Sequence, residues 1–388
     1  MESLKFLPTI VVKFVLRFFY YLFCTFTKVD DLKVTFASYR SDTLKDNLFY
    51  MNKEMEENYP EYNRNFIFKK FDSSVTGKIS YIFHMIKACY YIATSKYFII
   101  DDYYFPIYVL NIRNDVEVIQ VWHSAGALKK FGLSTVGKPF GPSETYLKHV
   151  SVHGNYSKVY VSCAEVIPYY AEAFQMPEER IYPLGIPRTD YFFSKENRGI
   201  LKEKFYQSFP ELEQKKVLLY APTFRGKSHY QNNFQLPFDL EKMGEELQND
   251  YVLFIHLHPY MRNQFQAKSG KFVYVMNDSY SIQELLVLAD ILITDYSTVF
   301  FDYSLLEKPM IFYPYDLEEY KKERDFYYSY EELIPGPMVK DTESLIKEIK
   351  KGKFDLNRIR KFKNRFFDIQ DGKATERIMK HIILGRQL

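Results

Sequence analysis

The sequence is poor in cysteine and nearly balanced in charge. Its 388 residues include three cysteines, Cys24, Cys89 and Cys163, an odd number at spacings that match neither a disulfide framework nor a metal-binding cluster. Such usage predicts a protein of the reducing cytoplasm. The formal net charge is +3, which is too small to indicate a nucleic-acid partner.

A long uncharged apolar run is also missing at the N-terminus. The segment 6–26 is strongly apolar, but Lys13 and Arg17 interrupt it, so it lacks the roughly 18 uncharged residues of a membrane span. No small-residue cleavage site follows, which argues against a removed signal peptide. On a helix, Lys13, Arg17 and Lys28 lie on one side. Leu16, Phe19, Phe23 and Phe26 recur at helical spacing on another side.

This division of side chains predicts a helix that lies in a membrane interface, where its basic side chains meet anionic head groups. A first helix that packs on its own domain is the alternative, and both arrangements are compatible with the pattern.

Short apolar runs alternate with longer helical stretches from Lys33 onward. We predict strands at 32–38, 66–70, 97–101, 116–122, 158–162, 180–183, 216–221, 251–256, 272–275, 291–294 and 309–312. Strands that alternate with helices predict parallel βαβ units and therefore an α/β fold. The last four runs are almost continuously apolar, as expected for strands that are buried on both faces.

The chain is about twice the usual length of a domain, which predicts two domains. We place a membrane-associating amphipathic helix at 1–30, a first Rossmann-like domain at 31–198, a second at 199–365 and a C-terminal helix at 366–388 that packs toward the first domain. Two doubly wound domains that face a central cleft would line it with the carboxyl ends of both sheets.

The first candidate cluster follows the strand that ends at Gln120. It begins with Trp122-His123 and continues through a turn of small residues, including Gly126, to Lys129. An imidazole with a usual pKa of about 6.5 suits a general base near neutral pH. Small residues let backbone N–H groups approach an anion closely. A structural histidine at the end of a strand is the alternative.

The second cluster contains His256 and His258, which alternate at the end of a strand before Pro259 and Arg262. A metal site is one interpretation, but no carboxylate or cysteine lies at ligand spacing. A histidine that binds phosphate with help from Arg262 fits the pattern better.

The third cluster is Asp295-Tyr296-Ser297-Thr298, which ends a buried strand and opens a helix. Ser297 and Thr298 are residue types that cap helices, and the N–H groups of a helix N-terminus bind phosphate oxygens. Capping alone explains the serine and threonine, but it does not explain Asp295.

Four further groups of polar residues follow predicted strands or aromatic segments. Asp101 and Asp102 are adjacent acids rather than an Asp-x-Asp triplet. A site for a divalent metal therefore remains an alternative, but the ligand spacing gives it little support. The other groups are Arg188 and Asp190 in a rigid loop, Thr223 and Arg225 in a turn, and Arg324 among aromatic residues.

In this order, the motifs resemble the CDP-glycerol glycerophosphotransferase family, which acts in teichoic acid synthesis in the cell walls of Gram-positive bacteria. The resemblance covers roughly residues 95–345, and the run 293–303 with 308–313 is highly specific to it. The resemblance implies a GT-B fold, a CDP-alditol donor and peripheral attachment to the cytoplasmic face of the cell membrane.

The resemblance also implies roles for individual residues. His123 would be the catalytic base, and His258 would hold the donor pyrophosphate. The residues implied on the donor side are Thr223, Arg225, Asp295, Ser297, Thr298 and Arg324. Those implied to be acceptor-side or structural are Asp101, Asp102, Gly126, Lys129, Arg188 and Asp190.

The implied reaction transfers glycerol phosphate from CDP-glycerol to a sugar hydroxyl of an undecaprenyl-diphosphate-linked disaccharide and releases CMP. Polymerase-like members carry glycine directly after Trp-His, whereas Ser124 follows here, which looks more like the primase branch. Alternatives are a glycerol- or ribitol-phosphate polymerase, a nucleotide-sugar glycosyltransferase on the same fold, and a membrane assembly factor without turnover.

Overall fold

The computed structural model describes residues 5–72, 74–139, 141–223, 236–257, 271–276 and 280–385. The chain divides into two compact units. The first unit consists of the described residues up to Asp190 and those from Asp368 onward. The second unit consists of the described residues within Tyr191–Phe367. The boundary that the sequence suggested, between residues 198 and 199, lies inside the first helix of the second unit, Lys195–Ser208.

The first unit is built on a parallel sheet. Its strands are β1 (Asp30–Ser38), β2 (Asn63–Phe68), β3 (Ser95–Ile100), β4 (Glu117–Gln120), β5 (Lys158–Tyr160) and β6 (Ile181–Tyr182). Its helices are α1 (Leu7–Phe26), α2 (Asp46–Asn58), α3 (Val75–Thr94), α4 (Phe105–Val109), α5 (Glu144–Leu147), α6 (Ile167–Phe174) and, from the C-terminal segment, α15 (Ala374–Leu384). The six described strands lie in the order β2-β1-β3-β4-β5-β6, with every pair parallel.

The second unit repeats this architecture. Its strands are β7 (Lys216–Tyr220), β8 (Tyr251–Ile255), β9 (Val273–Val275), β10 (Ile291–Thr294) and β11 (Met310–Phe312). Its helices are α7 (Lys195–Ser208), α8 (Leu240–Leu247), α9 (Ile282–Leu288), α10 (Val299–Ser304), α11 (Leu317–Arg324), α12 (Tyr330–Leu333), α13 (Thr342–Lys351) and α14 (Leu356–Phe366). Among the described residues, the sheet has the parallel order β11-β10-β7-β8-β9.

Each strand order contains a point at which the winding of the chain reverses. In the first unit the reversal lies between β1 and β3, and in the second unit it lies between β7 and β10. Ligands of doubly wound sheets bind outside the carboxyl ends of the strands at such a reversal. Residues that directly follow these strands are therefore candidates for function.

Helix α15 is part of the first unit although it comes from the C-terminus. It packs on α2, and its buried residues Ile378, Met379 and Ile382 belong to the core of that unit. Its N-terminus is capped by Asp190, whose carboxylate accepts hydrogen bonds from both backbone N–H groups that open the helix. Asp190 therefore has a structural role, since unpaired N–H groups at a helix end need an acceptor.

The predicted direction of the basic side chains on α1 is wrong. Nζ of Lys13 donates to the carbonyl of His149 at 2.6 Å, and Nε of Arg17 donates to the carbonyl of Val109 at 2.6 Å. The protein itself therefore binds these two side chains. They donate to backbone carbonyls, which need hydrogen-bond donors. Leu16, which shares the predicted apolar side with Phe19, Phe23 and Phe26, is fully buried.

The outward face of α1 is instead apolar. Its exposed large side chains are Leu7, Val11, Phe14, Phe18, Tyr21, Leu22 and Phe26, which span roughly 140° of the helix circumference at about 100° per residue. Among the described helices, α1 alone is long and apolar enough, by length and composition, to cross a membrane.

Candidate active site

His123 lies next to two charged side chains from neighbouring strands. It follows β4, Asp102 follows β3, and Arg40 follows β1. Nδ1 of His123 is 3.2 Å from Oδ2 of Asp102, and Nε of Arg40 is 3.2 Å from the same oxygen. The His123 side chain is 31% exposed, whereas Asp102 is 7% exposed. The imidazole therefore meets solvent on one side and a buried carboxylate on the other.

The charges of this group set its protonation. Burial lowers the pKa of His123 below 6.5, and the negative charge of Asp102 only partly opposes this effect. Burial raises the pKa of Asp102, but the attraction of His123 and Arg40 is larger in sum and holds that pKa below 3.8. At neutral pH the imidazole is neutral and Asp102 is charged. The carboxylate can only accept, and it lies 3.2 Å from Nδ1 without hydrogen-bond geometry. We assign the proton to Nδ1, which leaves the lone pair of Nε2 for a proton.

Asp101 differs from its neighbour Asp102. Burial raises the pKa of Asp101 to about 7, and the nearby charge of Arg40 offsets only part of that effect. Oδ1 of Asp101 has no hydrogen-bond partner within the described residues. In that same part of the chain, no group of three or more histidine, cysteine or acidic residues is arranged to hold a metal ion.

The sequence suggested that the turn after His123 presents a glycine N–H to a ligand. In the structure this N–H is instead used within the protein. The backbone N–H of Gly126 donates to Oγ of Ser162 at 3.3 Å. The hydroxyl of Tyr170 donates to the carbonyls of Ser124 and Gly126. These contacts hold the turn in place from the protein side. Lys129 follows in the same loop, half-buried.

Arg188 also belongs to the surroundings of His123. It is buried in a short 3-10 segment, Pro187–Phe193, and its positive charge helps to lower the pKa of His123. Its backbone N–H donates to Oδ1 of Asn47 at 3.0 Å. The predicted loop thus brings a cation near the imidazole.

The second unit gathers a polar group at its own reversal point. Thr223 follows β7 and Asp295 follows β10, and Oδ1 of Asp295 accepts from the backbone N–H groups of Thr223 and Ser297, at 2.7 and 3.2 Å. The capping prediction is wrong for Thr298. This residue precedes α10 with helical backbone angles and makes no capping hydrogen bond with its side chain, because a cap requires an extended backbone.

Arg324 is the last residue of α11, and aromatic contacts tie this helix to the segment of Asp295. The rings of Tyr296 and Tyr320 stack with centroids 3.9 Å apart. The hydroxyl of Tyr330 donates to the carbonyl of Asp295 at 2.9 Å. The motif of Asp295 and the helix of Arg324 are therefore parts of one packed region of the second unit.

Three predicted residues, Arg225, His258 and Arg262, lie outside the described residues. Their companion His256 donates from Nδ1 to the carbonyl of Met276 at 3.0 Å. This hydrogen bond fixes the ring of His256 against the neighbouring strand segment.

Arg40 and Asn47 were not identified from the sequence. Arg40 carries a usable signal, because it follows a predicted strand within Ser-Tyr-Arg-Ser, in the same position relative to its strand as Asp102. Asn47 lies in the first turn of α2, where an asparagine has no unusual sequence signature.

The chain resembles several characterised proteins over most of its length. The family profile described as CDP-Glycerol:Poly(glycerophosphate) glycerophosphotransferase matches residues 19–384. A teichoic acid ribitol-phosphate primase of Bacillus spizizenii is 46% identical over 376 residues, which cover 96% of each chain. A teichoic acid glycerol-phosphate primase of Bacillus subtilis is 35% identical over 77% of this chain and 76% of its own.

Longer relatives match as well. A teichoic acid poly(ribitol-phosphate) polymerase of Bacillus spizizenii is 39% identical over 92% of this chain, which spans 56% of the polymerase. The solved structure of the wall teichoic acid polymerase TagF aligns with 99% of this chain and 98% of its own, with a TM-score of 0.78 and 24% identity. This likeness confirms the predicted α/β fold of GT-B type with two parallel sheets. The chain belongs to the CDP-glycerol:poly(glycerophosphate) glycerophosphotransferase family, whose members are phosphotransferases of teichoic acid synthesis.

Proposed function

We propose that the protein is a teichoic acid primase, which transfers one alditol phosphate from a CDP-alditol to a sugar hydroxyl of an undecaprenyl-diphosphate-linked disaccharide. The observation that carries the proposal is the pairing of His123 with Asp102, which follows β3 at the reversal point of the first sheet. A relative that matches over 96% of both chains is a primase, which supports the transfer of a single unit.

The donor is proposed to be CDP-ribitol. The identity of 46% to a ribitol-phosphate primase exceeds the 35% to a glycerol-phosphate primase. CDP-glycerol, which the motifs first suggested, is the second candidate, because the family profile carries that name and a primase for glycerol phosphate is among the relatives.

In the proposed reaction, the acceptor hydroxyl oxygen forms a bond to the β-phosphorus of the donor while Nε2 of His123 takes the hydroxyl proton. The bond between the β-phosphorus and the bridging oxygen breaks, and CMP leaves with that electron pair. Asp102 keeps Nδ1–H turned toward itself and stabilises the imidazolium that forms. A base in this position contributes typically about 10²–10⁴ to the rate.

The donor side of the proposal lies in the second unit. Asp295 holds the backbone of Thr223 and Ser297 in place through one carboxylate oxygen. We assign the hydroxyls of Ser297 and Thr298, with Arg324, to contacts with the donor phosphates. Arg225 and His258 carry the same assignment on the strength of the family resemblance, His258 holding the pyrophosphate.

The proposal also includes peripheral binding to the cytoplasmic face of the cell membrane, through the exposed apolar face of α1. Phe14 and Phe18, which lie on this face one turn apart, are 62% and 64% exposed. Helix α3 packs on α1 and exposes Val75, Ile79 and Phe83 in the same way. Exposed apolar residues at helical spacing favour insertion into the boundary between head groups and acyl chains.

Flotation with vesicles of phosphatidylglycerol and phosphatidylethanolamine tests the membrane part. The double variant Phe14→Glu, Phe18→Glu should lose binding, because two charges would have to enter the apolar layer. Phe49→Glu, on the exposed side of α2, is the matched control and should float like the unaltered protein. Equal flotation of the double variant would exclude α1 as the binding surface.

The reaction is tested with purified protein, a short-chain lipid-linked disaccharide and each CDP-alditol. We expect CMP release with CDP-ribitol and a product heavier by one ribitol phosphate. His123→Ala should lose this activity, whereas His149→Ala, another histidine of the first unit, should keep it. A ladder of products would refute the primase assignment, and full turnover by His123→Ala would refute the catalytic assignment.

A further inference from the structure

Trp122, the residue before His123, has a backbone conformation that is unusual for a bulky side chain. Its φ is +46°, in the left-handed region that aromatic residues rarely adopt. Such a conformation persists where the surrounding structure over-determines it, and it clusters at functional sites.

Two buried side-chain amides hold the backbone of Trp122 from both sides. Its N–H donates to Oε1 of Gln120 at 2.8 Å, and its carbonyl accepts from Nδ2 of Asn47 at 2.7 Å. Gln120 is fully buried, and Asn47 is 1% exposed. The backbone therefore cannot rotate toward a relaxed φ without breaking one of these hydrogen bonds in the protein interior.

The same two amides reach the residues that surround His123. Nε2 of Gln120 donates to the backbone carbonyl of Asp102 at 3.0 Å. Oδ1 of Asn47 accepts from the backbone N–H of Arg188 at 3.0 Å. Each amide uses its donor and its acceptor on different segments, which a carboxylate or an apolar side chain cannot do.

We propose that Asn47 and Gln120 are positioning residues for His123, which hold Trp122 in its left-handed conformation and so keep the imidazole beside Asp102 and Arg188. The inference rests on the proposed role of His123 as the base. It goes beyond that role by assigning the catalytic geometry to two amides that make no hydrogen bond to the imidazole. Loss of either amide lets the backbone relax and moves His123 away from its partners.

The apolar replacements Asn47→Leu and Gln120→Met test this inference without adding charge. A displacement on the order of 1 Å at a catalytic group costs about 10²-fold in rate, so we expect kcat to fall about 10²-fold. The KM for the donor should stay within about twofold, because the proposed donor contacts lie in the second unit. The matched control is Asn65→Leu, which removes amide-to-carbonyl hydrogen bonds on strand β2 of the first unit and should keep kcat.

A second measurement is independent of turnover. The imidazole of His123, assigned by comparison with His123→Ala, is titrated by NMR without substrates. The charged groups that act on it are Asp102, Arg40 and Arg188. When His123 moves, its burial and its distances to these charges change together, so its pKa should shift in both variants and stay unchanged in Asn65→Leu.

These outcomes separate the two proposals. Unchanged kcat in folded Asn47→Leu and Gln120→Met, or an unchanged titration of His123, would overturn the positioning role. Full turnover by His123→Ala would refute the catalytic proposal, while the titration would still decide the positioning role. If Gln120→Met does not fold, Asn47→Leu carries the test, because Asn47 holds the carbonyl of Trp122 independently of Gln120.

Discussion

The substitution Asp102→Asn removes the charge that faces His123 and keeps the shape of the side chain. Burial continues to lower the pKa of His123, and the charges of Arg40 and Arg188 remain, but the opposing attraction of Asp102 is gone. The pKa of His123 should therefore fall further. A general base works in its unprotonated form, so the acidic limb of the kcat profile should move to lower pH.

The plateau of kcat should fall at the same time. The amide of an asparagine can turn its NH₂ toward Nδ1, which favours the tautomer that carries its proton on Nε2 and leaves no base for the acceptor hydroxyl. The loss is bounded by the whole contribution of a general base, about 10²–10⁴ in rate. At about 1.4 kcal/mol for each factor of ten, this equals roughly 3–6 kcal/mol of transition-state stabilisation.

Folding should suffer less than catalysis. The pKa of Asp102 is held below its usual value in the folded protein, so its stabilising contribution is present above that usual value and is lost as pH falls through the folded pKa. Removal of the charge leaves Arg40 without this partner. Since Arg40 is 35% exposed and water replaces part of the interaction, we expect a cost of about 1–2 kcal/mol.

The assay is CMP release across pH 5–9, with thermal unfolding at each pH and Asp368→Asn as the control. Asp368 accepts the backbone N–H of Ala164 in the same unit and is not one of the charges that dominate the pKa of His123. If Asp102 acts through His123, adding Asp102→Asn to His123→Ala should lower kcat no further. An equal loss in that background, or an acidic limb that moves to higher pH, would refute the reasoning.

Three further predictions concern stability. Burial raises the pKa of Asp101 to about 7, so its stabilising contribution is present at low pH and is lost as pH rises through 7. Asp101→Asn should therefore raise the melting temperature more at pH 8 than at pH 5. An equal gain at both pH values would contradict this. Asp190→Ala removes the cap of α15 and should cost about 1–2 kcal/mol in denaturant unfolding, a value that an unchanged midpoint would rule out. Arg113 donates to the carbonyls of Cys24, Thr27 and Ala93 at the ends of α1 and α3, so Arg113→Ala should make α1 the first site of limited trypsin cleavage. First cleavage in the second unit would argue against this role.

Regular elements of this fold could be predicted from the sequence because burial leaves a periodic trace. The strand expected at 291–294 is observed at Ile291–Thr294, and all its residues are buried. The helix α7 begins at Lys195, where Ser194 caps it, and ends at Ser208, just before Pro210, although the sequence suggested a domain boundary inside it, between residues 198 and 199. Its bounds depend on two local signals that hydrophobic periodicity does not contain.

The direction of polar side chains could not be predicted in the same way. Periodicity placed Lys13 and Arg17 on one side of α1, but it contains no information on what that side meets. In the structure both side chains find carbonyls of the first unit. The exposed face is the apolar one, so the membrane proposal now rests on Phe14 and Phe18 rather than on the basic residues.

The candidate site depends on strand order, which is a long-range property. Arg40, Asp102 and His123 are separated by up to 83 residues in the chain (123 minus 40), and they meet because β1, β3 and β4 are consecutive in the sheet. Each strand alone predicts only that a polar residue lies at a carboxyl end. Parallel pairing in this order aligns the three ends at one edge.

Strand order brings these residues together, but it does not orient the imidazole. A residue in ordinary extended conformation at position 122 would continue the line of β4 and direct the next side chain differently, because successive side chains of a strand alternate. The left-handed backbone of Trp122 breaks that alternation at the point where His123 begins. The sheet thus determines which residues meet, and the amides of Asn47 and Gln120 determine how His123 faces Asp102.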